Sequence, residues 1–173
     1  AQIWGSAKLA KNADKIAASL LKIVSNEQTA PLARVEASQQ LITLMSTRRQ
    51  TAADLLAAVT PRTPQSAALG MIDAVRGSRA PGVGNVLLDA MKQMTPASRE
   101  QAILVLLSRP ETTNDLLKAL QERKLSRDDL SLSQQQGLLG HPTPDIRKLA
   151  EKVLSGSGGL PSPDREKVLA TLM

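Results

Sequence analysis

Apolar residues return along this chain at alternating steps of three and four, in short blocks cut by prolines, threonines and glycines. That spacing is the mark of helices with one buried face. Leu9, Ala13, Ile16, Leu20 and Ile23 form the first stripe and predict a helix from about Ser6 to Ser25 with that face inward. Lys8, Lys15 and Lys22 run beside it at a spacing of seven, where their stems can cover the apolar edge while the ammonium groups stay wet. Pro31 opens a second helix carrying Leu32, Val35, Leu41, Ile42 and Met45, because a missing N–H costs nothing in a first turn. Thr51 reads as the cap of a short helix with Leu55, Leu56 and Val59, ended by Thr60-Pro61. Pro64 opens the next, with Ala68, Met71, Ile72 and Val75, and the run from Gly77 to Gly82 breaks it. Val83 to Gln93 then carries Val86, Leu87, Leu88 and Met91. Pro96 opens a further helix that Arg109-Pro110 closes, and Thr112 or Thr113 caps its partner bearing Leu116, Leu117 and Leu120.

The blocks recur with a period. Helix-opening prolines at 31, 64 and 96 are separated by 33 and 32 residues. The Leu-Leu pairs at 20, 55, 87 and 116 are separated by 35, 32 and 29. A helix pair of just over thirty residues, repeated about four times, cannot bury its apolar face alone and must stack on its neighbours. The expected fold is all-α, an α-solenoid of antiparallel helix pairs with about nine or ten helices. After Lys124 the period slips, because Pro96 and Pro144 lie 48 residues apart. Ser126 to Leu130 reads as a capped helical turn, Leu132 to Leu139 as a short polar helix, and His141 to Pro144 as a turn. Asp145 to Leu154 is the last strong helix, with Ile146, Leu149, Ala150 and Val153 inward. Residues 1–155 are thus expected to form one repeat domain, 156–163 a Gly/Ser/Pro linker, and 164–173 the start of a helix leading onward.

A second regularity accompanies the first. Pro31-Leu32-Ala33-Arg34, Pro96-Ala97-Ser98-Arg99 and Pro144-Asp145-Ile146-Arg147 share a proline followed three residues later by arginine, whereas the Pro64 copy has Ala67 there. An arginine one turn inside each first helix is placed to reach carbonyls or an acid of the neighbouring unit, as in helix-pair repeats of the HEAT type.

Composition narrows the chemistry. Among 173 residues there is one aromatic, Trp4, one histidine, His141, and no cysteine. The core must be aliphatic, which suits packed helices better than a sheet. Disulfides and thiolate metal sites are excluded, no His-based metal cluster can form, and a Ser–His–Asp arrangement would have to use His141. Its place between Gly140 and Pro142 favours a capping or surface role. Gly82-Val83-Gly84 is half of a phosphate-loop pattern, but no strand precedes it and a third glycine is missing, so it reads as a helix–helix turn. Asp128-Asp129 stands at a helix start, where the dipole favours anions. No catalytic, cofactor or metal residue is expected. No apolar run approaches the ~20 residues that span a bilayer.

The net charge of +6 resides in residues 1–110, which hold 13 Lys/Arg against 7 Asp/Glu; residues 111–173 hold 9 of each. A basic first half suits nucleic acid, an acidic protein surface, or a merely solvated helix face. A nucleic-acid reading would use Lys8, Lys15, Lys22, Arg34, Arg48 and Arg49 as phosphate contacts, in the manner of a HEAT-like DNA-repair glycosylase. Base stacking and flipped-base pockets need aromatic rings, and Trp4 with His141 at opposite ends cannot furnish them.

The run from Thr95 to Lys152, followed by Asp164-Arg165-Glu166-Lys167-Val168, resembles a HEAT-like segment of large planctomycete and verrucomicrobial multidomain proteins. The matching elements are Arg99 with Leu106-Leu107-Ser108-Arg109-Pro110, then Leu116-Leu117-Lys118-Ala119-Leu120, Asp129-Leu130, and Leu139-Gly140-His141-Pro142-Thr143-Pro144-Asp145-Ile146-Arg147. In that family the segment lies between a β-propeller dehydrogenase-like domain and a C-terminal cytochrome c-type haem-binding domain. The resemblance implies a non-catalytic spacer or interaction module in an extracytoplasmic, periplasmic setting. Its partners would be the flanking domains of the same polypeptide or another protein, without membrane insertion. Two departures stand out: the family's aromatic near Thr112-Thr113 is absent, and the Cys-x-x-Cys-His haem attachment expected soon after Val168 does not occur in this sequence. No redox activity carries over. Stacked pairs leave their second helices lining one groove, here around Thr51–Val59, Val83–Gln93 and Thr112–Gln121. Lys92, Gln93, Asn114, Lys118 and Gln121 are the expected contact positions.

Overall fold

The computed structural model describes residues 2–155, with side chains over residues 11–154. The Gly156–Gly159 linker and the helix expected from Pro163 lie outside the described residues. The described chain is all-helical. It runs α1 (Gln2–Ser25), α2 (Pro31–Leu44), α3 (Arg49–Ala57), α4 (Gln65–Ala74), α5 (Val83–Ala90), α6 (Pro96–Leu106), α7 (Pro110–Gln121), α8 (Leu132–Leu139) and α9 (Pro144–Ser155). Short 3-10 turns follow α4 (Val75–Gly77) and α5 (Met91–Gln93), and a third, Arg127–Asp129, precedes α8. Residue contacts group into two compact units, Ala1–Leu116 and Leu117–Met173, a division inside the stretch that the sequence reads as one repeat domain.

In the first unit α1 packs on α2, α2 on α4, and α4 on α6, while α3 packs on α5. Helices one proline apart in the repeat therefore meet like with like. The core is aliphatic: Leu41, Ile42, Leu55, Met71, Ile72, Leu87, Ile103 and Leu106 are buried almost completely. Gly70 lets α4 come close to α2, since a methyl there would stand 2.5 and 2.8 Å from the two Cγ atoms of Val35. The break after α4 is tied down as well. Buried Ser78 donates its hydroxyl to the Ser46 carbonyl at 3.2 Å, and the Arg79 N–H donates to the same oxygen at 2.7 Å.

The Pro-x-x-Arg arginines act as carbonyl ligands. Arg34 is 1% exposed; its Nε donates to the Val24 carbonyl near the end of α1 at 2.8 Å, and its Nη2 to the Ala58 carbonyl just past α3 at 3.3 Å. Arg99 Nε donates to the Met91 carbonyl past α5 at 3.0 Å. Arg147 Nη1 donates to the His141 carbonyl at 3.4 Å in the second unit. The last carbonyls of a helix have no partner within it and carry its negative end, so a cation one turn into the next helix satisfies both needs. Ala67, in the copy without arginine, is buried.

Several expectations are corrected. The inward face of α1 is formed by Val24 with half-buried Ala13, Ala17, Leu20 and Leu21, and it leaves Ile16 and Ile23 outside at 53% and 40% exposure. The packed stripe is turned by one residue from the one read in sequence. Leu32, in the first turn of α2, is 69% exposed rather than inward. Thr51 lies inside α3, whose cap position is Arg48, and caps nothing. Pro110 opens α7 itself, so Thr112 and Thr113 fall within its first turn. Their hydroxyls donate to the Leu106 carbonyl at 2.8 and 3.1 Å, and also to Arg109. They close the end of α6 rather than the start of α7.

In the second unit α8 packs on α9, with Leu130, Leu138, Ile146, Ala150 and Leu154 buried. Ser126 and Ser131 begin their helices with reciprocal capping boxes, completed by Asp129 and Gln134.

Candidate functional site

Within the first unit, α3 and α5 lie side by side and leave between them an open groove of about 540 Å³. Its apolar lining consists of Leu56 and Val59 with two pairs of side chains, Ala53 and Ala57 of α3 opposite Val86 and Ala90 of α5. Each pair is spaced four residues apart, so each falls on one face of its helix. Arg49, Gln50, Asp89 and Gln93 form the rim. Asp89 is paired with Lys92 at 3.0 Å, and Gln50 donates to Asp54 at 2.8 Å. Arg49 makes no hydrogen bond or ion pair among the described residues and reaches toward Gly82, which caps the start of α5 with a positive φ of 70°. The groove thus joins an apolar floor to a mixed polar rim.

Gly84, in the first turn of α5, has the Asp115 carboxyl of α7 against it, leaving no room for a Cβ. The helix start that resembles half a phosphate loop therefore already faces an anion of the protein itself. His141 Nδ1 accepts a hydrogen bond from the Thr143 N–H at 3.1 Å and shapes the turn before α9. Asp129 is engaged in the capping box of Ser126, accepting from its N–H at 2.8 Å.

The expected contact positions are distributed unevenly. Gln93 lines the groove, Lys92 is exposed beside it, and Asn114 is half-buried on α7. Lys118 and Gln121 are exposed and belong to the second unit. The basic patch does not assemble as read: Arg34 is buried on carbonyls, and Arg48 is ion-paired with Asp14 at 2.5 Å. Arg49 stands in the groove, while Lys15 and Lys22 are exposed on α1 and the Lys8 side chain lies outside the description. The sequence reading missed Ala53, Ala57, Ala90 and Asp89. The signal for the alanines was present, in side chains four apart on two successive second helices.

The second unit holds another cavity of about 540 Å³, with Arg123, Arg127 and Lys152 above Leu120, Leu125 and Val153. Two helices, α7 and α9, end there, Arg127 Nη1 donates to the Leu154 carbonyl at 3.2 Å, and cations at helix C-termini offset the dipole. Among the described residues no group of three or more His, Cys, Asp or Glu is placed to hold a metal ion, and no helix is long and apolar enough to cross a membrane. No protein-family model matches this chain, and no curated protein and no solved structure matches it.

Proposed function

We propose that this chain is a non-catalytic helical-repeat scaffold, an α-solenoid of HEAT- or armadillo-like antiparallel pairs, that docks a protein surface in the groove between its second helices. The observation carrying this reading is the α3–α5 groove, an open channel with an aliphatic floor and a rim formed by the Arg49 guanidinium, the Asp89 carboxylate and two carboxamides. The serial contacts α2–α4–α6 and α3–α5, and the arginine-to-carbonyl bonds repeated at Arg34 and Arg99, support the solenoid. In the setting implied by the resemblance, the docked surface belongs to a dehydrogenase-like propeller or a cytochrome c-type domain. Such a contact is polar and modest in area, so its affinity on separated domains is weak.

Calorimetric titration of the separate propeller and haem domains into this chain tests the reading. One of the two should bind, and Ala57→Trp, which fills the groove from an exposed position, should weaken that binding by about tenfold. Binding by neither domain, or binding indifferent to Ala57→Trp, would refute it.

A further inference from the structure

The first helix carries an apolar row that internal packing covers only in part. Its buried side is formed by Ala17, Leu21 and Val24, with Ala13 and Leu20 at the border. Ile16 and Ile23 stand outside, 53% and 40% exposed, seven residues apart and therefore stacked over two turns. In sequence the same row begins one heptad earlier, at Leu9. Isoleucines one heptad apart on an open flank supply one of the two apolar positions per heptad that a coiled-coil seam uses.

A charge row accompanies it. Lys15 and Lys22 are exposed, each one residue before an isoleucine and so about 100° round the helix from it. In sequence this row too begins a heptad earlier, at Lys8, and exposed Lys11 lies on the same side. None of Lys11, Lys15 and Lys22 enters an ion pair among the described residues. The only carboxylate of α1, Asp14, is turned to the other edge and paired with Arg48. Among the described residues the lysines of this flank therefore have no carboxylate paired with them, and flanking charges are what select partners across a helical seam.

We propose that this flank of α1 is a docking site for an acidic amphipathic helix of a partner protein. The partner's aliphatic row would sit over Ile16 and Ile23, and its flanking glutamates or aspartates would face Lys15 and Lys22. A second copy of this chain is a poor occupant, because it brings lysines to lysines. A lipid surface is a poor one too. The exposed apolar row is a single ridge bordered by Asn12 and Ser19, not the broad face with which an interfacial helix enters a bilayer. The site is separate from the α3–α5 groove and stands or falls independently of it.

The test uses the whole chain and two designed helical peptides that share one leucine–isoleucine seam, one flanked by glutamate and the other by lysine. Fluorescence anisotropy should show binding of the glutamate peptide only, weakening as salt rises. Ile16→Asp with Ile23→Asp, both at exposed positions that leave the core intact, should lower affinity by about tenfold or more. Lys15→Glu with Lys22→Glu should reverse the preference toward the lysine peptide. Equal binding of both peptides, failure of the glutamate peptide to bind, or affinity unchanged by the isoleucine substitutions would overturn the proposal. Binding to phosphatidylserine vesicles in place of the glutamate peptide would overturn it as well, and would make the flank a membrane-contact face.

Discussion

Arg34 and Arg147 occupy the same place in the Pro-x-x-Arg pattern and make the same kind of bond in different surroundings. Arg34 is buried and holds two carbonyls at once, Val24 and Ala58, so it links the ends of α1 and α3 through α2. No carboxylate pairs with it among the described residues; its charge faces the negative ends of two helices instead. Arg147 is exposed, and its single bond to His141 is 3.4 Å long. Replacing Arg34 by methionine keeps the stem but removes the donor to the buried bond at the Val24 carbonyl and one of two donors to the Ala58 carbonyl, which also accepts from the Thr63 hydroxyl; this should cost ~2–3 kcal/mol in urea unfolding. The same change at Arg147 should cost less than ~1 kcal/mol, since water replaces the lost donor. Equal losses at the two sites would mean that the buried arginine does not hold the helix ends together. The motif was legible in sequence because its spacing repeats. That Arg34 alone is buried was not, and this removes it from a phosphate-binding surface.

At the scale of the element, helix positions follow closely from the prolines, while helix faces follow less closely. Pro31, Pro96 and Pro144 are the first residues of α2, α6 and α9, because a fixed φ and a missing N–H suit a first turn. Pro110 follows the same rule, which is why a threonine cap for α7 does not appear. The face of α1 was misread by one residue for a physical reason: two apolar stripes overlap on that helix, and periodicity alone does not say which one meets α2. By contrast Leu106, Leu116, Leu117 and Leu120 are inward as expected. Leu117→Ala should therefore cost roughly 2–5 kcal/mol. Denaturant midpoints would check this, and a loss under ~1 kcal/mol would mean that the site collapses onto the gap. The α2–α4 contact offers a test with a change of sign. Gly70→Ala should destabilise by ~1–2 kcal/mol through collision with Val35. In a Val35→Ala background the same substitution should stabilise by ~0.5–1 kcal/mol, because alanine is the better helix former. A destabilising effect in both backgrounds would mean that the close approach of α4 is fixed by something other than Val35.

For the molecule, the period was legible in the spacing of its prolines and leucine pairs, and in the first unit α2, α4 and α6 pack in series. The candidate groove was legible only as a general face, because it depends on which side chains are small rather than which are charged. Charge drew attention to lysines and arginines that the structure separates among a carbonyl clamp, an ion pair, the groove and the open flank of α1. Nucleic acid should accordingly bind weakly, without sequence preference, and be lost steeply with salt. Gel shifts at two salt concentrations would show this, and sequence-specific binding that persists at physiological ionic strength would contradict it.

The central claim is that the second helices of the first unit form a working protein-contact surface. Amide hydrogen exchange tests it most directly, comparing this chain alone with this chain joined to the propeller and haem domains proposed above as its neighbours. The account predicts slower exchange in Arg49–Ala57 and Val83–Ala90 when the neighbours are present, with Leu132–Leu139 unchanged. Identical protection of α3 and α5 in the two forms would contradict it and leave a passive spacer.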